Sequence, residues 1–267
     1  MSKPKVAVYD FTGCEGCELQ ILNCEEYLLD IVGNIEIVYW REAATPPAGA
    51  PNRYDGREVV EADIALVDGG ITTPHDVERI KKIREKSKVL VAMGSCACFG
   101  GINALKNDFP MEEVKRVVYG DMARHFETIP AAPMSNYVKV DYMLPGCPMV
   151  KDEFLKFFKS LLLGKTKWVL PDYPVCVECK LKENVCVFEK GMFCLGPVTR
   201  AGCGANCPSF GVGCEGCRGL VPDPNTNAAL DVLTEHGLTL EDAVKRMKLF
   251  CNALEPVSRL DVWTKTE

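Results

Sequence analysis

Three observations predict an α/β fold with a parallel sheet over residues 1–165, followed by a smaller, largely irregular domain over residues 166–267. Short β-branched runs alternate with helical patterns through the first part. Two of those runs, Ile64–Asp68 and Val89–Met93, are almost continuously apolar, as parallel strands covered on both faces are. Past residue 170 the alternation gives way to cysteine, with eight in the 48 residues from Asp172 to Gly219. A chain of 267 residues is long enough for one large or two modest domains with real cores.

Taken in order, Val6–Asp10 reads as a first strand and Glu18–Val32 as a first helix, apolar at Leu19, Ile21, Leu22, Tyr27, Leu28, Leu29 and Ile31. Ile35–Tyr39 follows as the second strand. Ile64–Asp68 and Val89–Met93 are the third and fourth, with a charged helix over about His75–Lys86 between them. Met111–Tyr119 is a further helix, Val138–Met143 a fifth strand, and Met149–Leu163 the helix after it. A last amphipathic helix is expected over Leu240–Asn252.

Charge and composition exclude several classes. A net charge of −6, with no Lys/Arg run interleaved with aromatics, makes nucleic acid an unexpected partner. The apolar stretch Phe154–Leu163 is interrupted by Lys156 and Lys159, so no membrane span is expected. The opening MSKPKVAVYDF has neither an apolar signal region nor a twin arginine, so a reducing, cytoplasmic location is expected.

The chemistry lies in the cysteines. Cys176, Cys179, Cys186, Cys194, Cys203, Cys207, Cys214 and Cys217 come in and between CxxC pairs spaced by Gly, Pro and charged residues, unlike core cysteines used as small hydrophobes. Eight such thiols make two four-thiolate sites. In parallel sheets ligands bind outside the carboxyl ends of the strands. Three strand ends here carry Gly13-Cys14-Glu-Gly-Cys17, Gly94-Ser-Cys96 and Pro145-Gly-Cys147-Pro148, while Asp68-Gly-Gly70 and Gly100-Gly101 leave room beside them. Cys14, Cys17, Cys96 and Cys147 therefore read as a third four-cysteine site. Structural zinc also takes four thiolates from CxxC pairs and stays open as an alternative. Disulfides do not suit a reducing compartment.

Five motifs in order resemble the small, electron-transferring subunit of [NiFe] hydrogenases, and within that family the delta subunit of cytoplasmic bidirectional sulfhydrogenases. They are Thr12-Gly-Cys14-Glu-Gly-Cys17, Gly94-Ser-Cys96-Ala-Cys98-Phe-Gly-Gly101, Pro145-Gly-Cys147-Pro148, Asp172-Tyr-Pro-Val-Cys176-Val-Glu-Cys179, and the run from Cys194 through Arg200 and Cys203 to Cys207-Pro208. The resemblance spans essentially the whole chain. It implies a flavodoxin-like first domain and three 4Fe–4S clusters: proximal on Cys14, Cys17, Cys96 and Cys147, distal on Cys176, Cys179, Cys186 and Cys194, and medial on Cys203, Cys207, Cys214 and Cys217. Respiratory members of the family have a histidine where this chain has Cys176, and only three medial cysteines, so Cys207 is an added corner. The resemblance also implies a catalytic nickel–iron site in a separate large subunit, with further iron–sulfur and flavin- or nicotinamide-binding subunits receiving the electrons, so that this chain holds no catalytic residue itself. A subunit related to respiratory complex I fits less well, because that lineage places two adjacent cysteines at its single cluster.

Cys24, Cys98 and Cys251 remain and read as packing residues. His75, His125 and His236 fall outside every motif and read as surface or satisfied core residues. Glu15 and Glu18 read as charges flanking a helix start, with a proton relay the other role open to them.

Overall fold

The chain is seen in a computed structural model that describes residues 3–43, 59–165, 167–255 and 257–259. Thr166, where the expected domain boundary falls, lies outside the described residues, as do residues 260–267. Five strands, β1 (Lys5–Asp10), β2 (Glu36–Trp40), β3 (Ala62–Asp68), β4 (Ser87–Met93) and β5 (Tyr142–Leu144), form one sheet in the order β2-β1-β3-β4-β5. Every pairing is parallel. This is the flavodoxin-like order, as the resemblance implies.

The apolar runs produce this arrangement because successive side chains leave a strand on opposite faces. Val6, Val8, Ile64, Leu66, Val91 and Met93 point to one side. There they meet α1 (Gly16–Leu22) through Ile21, α2 (Glu25–Asn34) through Ile31, and α6 (Lys151–Leu162) through Phe154, Phe157 and Phe158. Ala7, Tyr9, Ala65, Val67, Leu90 and Ala92 point to the other. They pack on α3 (Pro74–Lys86) through Ile80 and Ile83 and on α4 (Gly94–Phe99) through Ala97, Cys98 and Phe99. α3 begins with a capping box: Thr73 Oγ1 accepts the Asp76 N–H at 3.1 Å, and the Asp76 carboxylate accepts the Thr73 N–H at 2.9 Å. Two backbone N–H groups at the helix start are thereby satisfied, and Pro74 at the first helical position has none to satisfy. α5 (Met111–Tyr119) buries none of its residues.

The expected first helix is two. Asn23 and Cys24 break it, with the Cys24 N–H bonded to the Ile21 carbonyl three residues back and a new helix starting at Glu25. Periodicity did not reveal the break because Ile21, Cys24 and Ile31 all reach the same core. The fifth strand is also shorter than Val138–Met143, since only Tyr142–Leu144 pairs with β4.

Beyond α6 the described residues contain no strand. Short α7 (Val175–Leu181) and α8 (Asn206–Ser209) carry cysteines, and α9 (Thr226–Glu235) and α10 (Leu240–Cys251) pack on each other through Leu230, Leu233, Val244 and Met247. α9 is not among the expected helices, although Asn225 caps it by accepting the Ala228 N–H at 3.0 Å. α10 also reaches the sheet-bearing part: Lys248 pairs with Asp108 at 3.2 Å, and the Asn252 amide donates to the Ala104 carbonyl at 2.8 Å. Among the described residues no helix is long and apolar enough to cross a membrane.

Candidate metal centres

The first cysteine set grows out of three strand ends. After β1 the chain is tied to the end of β3 by the Thr12 and Gly70 backbones, which bond in both directions at 3.2 and 2.8 Å. Glu15 takes a left-handed conformation at φ 60°, and α1 then starts at Gly16, so Cys17 sits inside the helix rather than in a loop before it. β4 runs into Gly94 at φ +77° and then into α4, which carries Cys96. Cys147 follows β5, and the Ser95 N–H holds that turn by donating to the Gly146 carbonyl at 2.8 Å.

Cys14, Cys96 and Cys147 are close enough to repel one another when charged. Cys17 lies deeper, against Asp68, Cys98 and Cys96, with its N–H donated to the Asp68 carboxylate at 3.3 Å. Burial pushes the Cys96 thiol up to about 12, helped by the charge on Asp68. Burial followed by Asp68 pushes Cys17 higher still. Cys14 and Cys147 are exposed.

The second set closes on itself completely. Cys176 feels the charges of Cys194, Cys179 and Cys186, and Cys194 feels those of Cys186 and Cys179. α7 presents Cys176 and Cys179 three residues apart on one face. The Asn184 amide donates to the Cys179 sulfur at 3.6 Å, and the Gly196 N–H to the Cys194 sulfur at 3.4 Å. In the third set Cys217 faces Cys203 and Cys207, while Cys214 faces Cys194 of the second set first and Cys217 after it. Burial raises Cys176 and Cys217 to about 11.

The three sets are consecutive. The Cys147 backbone N–H lies beside the Cys217 thiol and favours its charged form, joining the first set to the third. The Cys214 N–H donates to the Cys194 sulfur at 3.3 Å, joining the third to the second. The chain order of the sets is thus not their spatial order.

The donor set fits iron–sulfur clusters on several grounds. Burial that raises thiol pKa values makes four thiolates together untenable without a cation replacing the protons. Backbone has been cleared around the sulfurs: a Cβ on Gly94 would lie 2.3 Å from Cys17 Sγ, one on Gly101 2.8 Å from Cys96 Sγ, and one on Gly196 3.2 Å from Cys194 Sγ and 3.3 Å from Cys176 Sγ. A cubane takes one thiolate at each of four separate irons.

The remaining flagged residues are placed as follows. Cys24, Cys98 and Cys251 are buried, with their thiols directed at the carbonyls of Gln20, Ala92 and Gly216. His75, His125 and His236 are exposed, and His236 stacks on Phe188. Glu18 departs from its reading as a charge beside a helix start. It is 1% exposed, accepts the Trp40 indole N–H at 2.7 Å, and burial raises its carboxyl to about 8. The sequence singles out neither Glu153 nor Arg218, and marks Asp68 only as part of a roomy Asp-Gly-Gly turn. Arg218, next to Cys217, is fully buried and paired with Glu153 at 2.8 Å. No local pattern announces it, because a lone Arg beside a CxxC reads as solvated.

A sheet of flavodoxin-like order with four-cysteine sets at and beyond its strand ends defines an iron–sulfur protein. Residues 14–161 match the family described as NADH ubiquinone oxidoreductase, 20 Kd subunit. Over 92% of its length the chain is 36% identical to sulfhydrogenase 2 subunit delta of Pyrococcus furiosus, covering 98% of that protein. It is 38% identical to a subunit of the vhu F420-non-reducing hydrogenase of Methanocaldococcus jannaschii, with 92% and 94% of the two chains covered. Among solved structures, a chain of an NAD+-reducing [NiFe]-hydrogenase in the H2-reduced state superposes with a TM-score of 0.54 at 26% identity, over 63% of this chain and 96% of that one. The chain belongs to this family, in its branch of [NiFe] hydrogenase small subunits. The family match ends before Cys176, so kinship with the respiratory subunit concerns the sheet-bearing part, and the hydrogenase relatives extend over the rest.

Proposed function

We propose that the chain is the non-catalytic small subunit of a cytoplasmic [NiFe] hydrogenase complex, relaying electrons through three 4Fe–4S clusters. They would pass between a nickel–iron site in a large subunit and a nicotinamide- or ferredoxin-linked partner subunit. Cys14, Cys17, Cys96 and Cys147 hold the proximal cluster, Cys203, Cys207, Cys214 and Cys217 the medial one, and Cys176, Cys179, Cys186 and Cys194 the distal one. The chain divides at residues 165/166 into a flavodoxin-like domain with the first cluster and an iron–sulfur domain with the other two. The observation that carries this reading is the adjacency of the sets, through Cys147 to Cys217 and through Cys214 to Cys194.

Held in these sets, each cluster would supply a one-electron centre that changes charge with little movement of its ligands. The chain's own groups determine where an electron is favoured. N–H donors at the Cys194 and Cys179 sulfurs stabilise added negative charge there. The exposed Cys14 and Cys147 leave the first set open on the side where a large subunit would cover it. Twelve unoxidised thiolates need a reducing compartment, which favours the cytoplasm.

Metal analysis of the anaerobically purified complex tests the reading. About twelve irons with matching acid-labile sulfide are expected per small subunit, four for each set, and no three-iron paramagnetic signal in the oxidised state. Stoichiometric zinc without iron would refute it in favour of a structural or assembly protein.

A further inference from the structure

Arg218 is the largest fully buried side chain of the described residues, and four of the five N–H groups of its guanidinium donate hydrogen bonds. Nη1 donates to the Pro145 carbonyl at 2.7 Å and to Glu153 Oε2 at 2.8 Å, Nη2 to Glu153 Oε1 at 2.8 Å, and Nε to the Ala201 carbonyl at 2.8 Å. These partners come from both parts of the chain. Pro145 begins the Cys147 turn, Glu153 lies on α6, and Ala201 precedes Cys203. Space has been made for the guanidinium: a Cβ on Gly202 would stand 2.2 Å from Nη2. Around it the same junction is closed by the Ser95 hydroxyl, which donates to the Cys217 carbonyl, and by Gly219, whose Cβ would lie 2.6 Å from the Phe99 ring.

A buried ion pair is a poor device for stability alone, because desolvating two charges costs about as much as their attraction returns, and apolar side chains of similar volume often hold as well. This pair is asymmetric. Its cation sits among the Cys203 and Cys217 sulfurs and the Pro145-Gly146-Cys147 turn, and its anion belongs to α6.

We propose that Arg218 is a positioning residue with an electrostatic role: clamped by Glu153, Pro145 and Ala201, it holds the Cys147 and Cys217 sites together and places a fixed positive charge between them that favours reduction of the clusters on both. This rests on the iron–sulfur reading above. An electron arriving at either site adds negative charge in a water-poor junction, where a fixed cation acts strongly. Glu153 orients the guanidinium and offsets part of its charge, so the two residues act on the clusters with opposite sign.

The test is a redox titration, followed by electron paramagnetic resonance, of the complete complex carrying Arg218→Gln, Arg218→Lys or Glu153→Gln. With Arg218→Gln the reduced-to-oxidised ratio of the medial and proximal clusters at a fixed ambient potential should fall about tenfold, equivalent to about 59 mV for one electron. Arg218→Lys should recover most of that ratio. Glu153→Gln should move it the other way, while the distal cluster stays in place in all three. A purely structural clamp predicts shifts of the same sign, or lost iron, in both neutral variants. If Arg218→Gln loses its iron, Glu153→Gln decides alone: a raised ratio supports the proposal, and an unchanged or lowered one overturns it. Unshifted potentials in the fully loaded Arg218→Gln complex also overturn it. Absence of iron–sulfur signals from the unsubstituted complex would instead remove the iron–sulfur reading, and this inference with it.

Discussion

A hydrogen atom in place of a methyl group decides whether Cys17 has room. Gly94 stands where β4 ends, at φ +77°, a conformation that costs an L-residue about 1–2 kcal/mol. Its absent Cβ would come within 2.3 Å of Cys17 Sγ, well inside contact distance. Gly94→Ala should therefore both destabilise the chain by about 2 kcal/mol or more and expel the first set's metal, leaving the other two sets loaded. Iron content near two-thirds of the unsubstituted value, with a lowered unfolding temperature, is the expected result. Full iron and unchanged unfolding would show that the contact is relieved at no cost. At this scale the cysteines were legible because their spacing and type are chemical statements in themselves. Arg218 and Glu18 were not, since each acquires its role only when α6 or β2 folds over it and removes the water a charged side chain would otherwise keep.

Between elements, one carboxylate accounts for the shortness of β5. Asp141 uses its own N–H on the Leu90 carbonyl at 3.0 Å but turns its side chain back to accept the Leu90 N–H at 2.9 Å. That donor would serve the ladder in a longer strand, so pairing begins only at Tyr142. The alternating Val138-Lys-Val-Asp-Tyr-Met pattern cannot report this, because Val138 and Val140 still pack on the core beside the sheet. The same limit hid the break between α1 and α2, where apolar spacing continues through a turn. Arg84 also reaches Asp141, at 2.5 Å, and ties the end of α3 to β5. Burial pushes the Asp141 carboxyl up, but the Leu90 N–H and Arg84 outweigh it and the net pKa is below the ordinary value. A carboxyl with a depressed folded pKa contributes stability above its unfolded pKa and loses it as the pH falls through the folded one. Asp141→Asn should thus cost about 1 kcal/mol at pH 7, and the gap between the two proteins should close as the pH falls below about 4. Denaturant midpoints at matched pH check this, with losses common to both proteins cancelling. A gap unchanged from neutral to acid pH would mean that the carboxylate's charge contributes nothing.

Across the whole molecule, the parallel strands were legible as apolar runs, whereas the flavodoxin-like order was implied by motif resemblance, which also supplies the expected membership of each cysteine set. The spatial order of the sets was not legible from spacing, for it depends on the chain returning from Cys194 through Cys203 to place Cys217 against Cys147. That return puts the Cys176 set at the far end, joined to the third set through Cys214 and Cys194, which separates two activities a hydrogenase complex can display. Hydrogen–deuterium exchange needs only the nickel–iron site, whereas sustained turnover, in the relay proposed above, must move electrons along the full series. Cys176→Ser removes one thiolate from the end set and leaves the junction between the first and third sets untouched. In the assembled complex it should reduce nicotinamide- or ferredoxin-linked turnover at least tenfold, about 1.4 kcal/mol on the limiting step, while isotope exchange stays within about twofold, well under 1 kcal/mol on the same scale. Were both activities to fall together with the complex intact and the other clusters loaded, the Cys176 set would not be the exit, and electrons would have to leave the chain nearer the Cys217 junction.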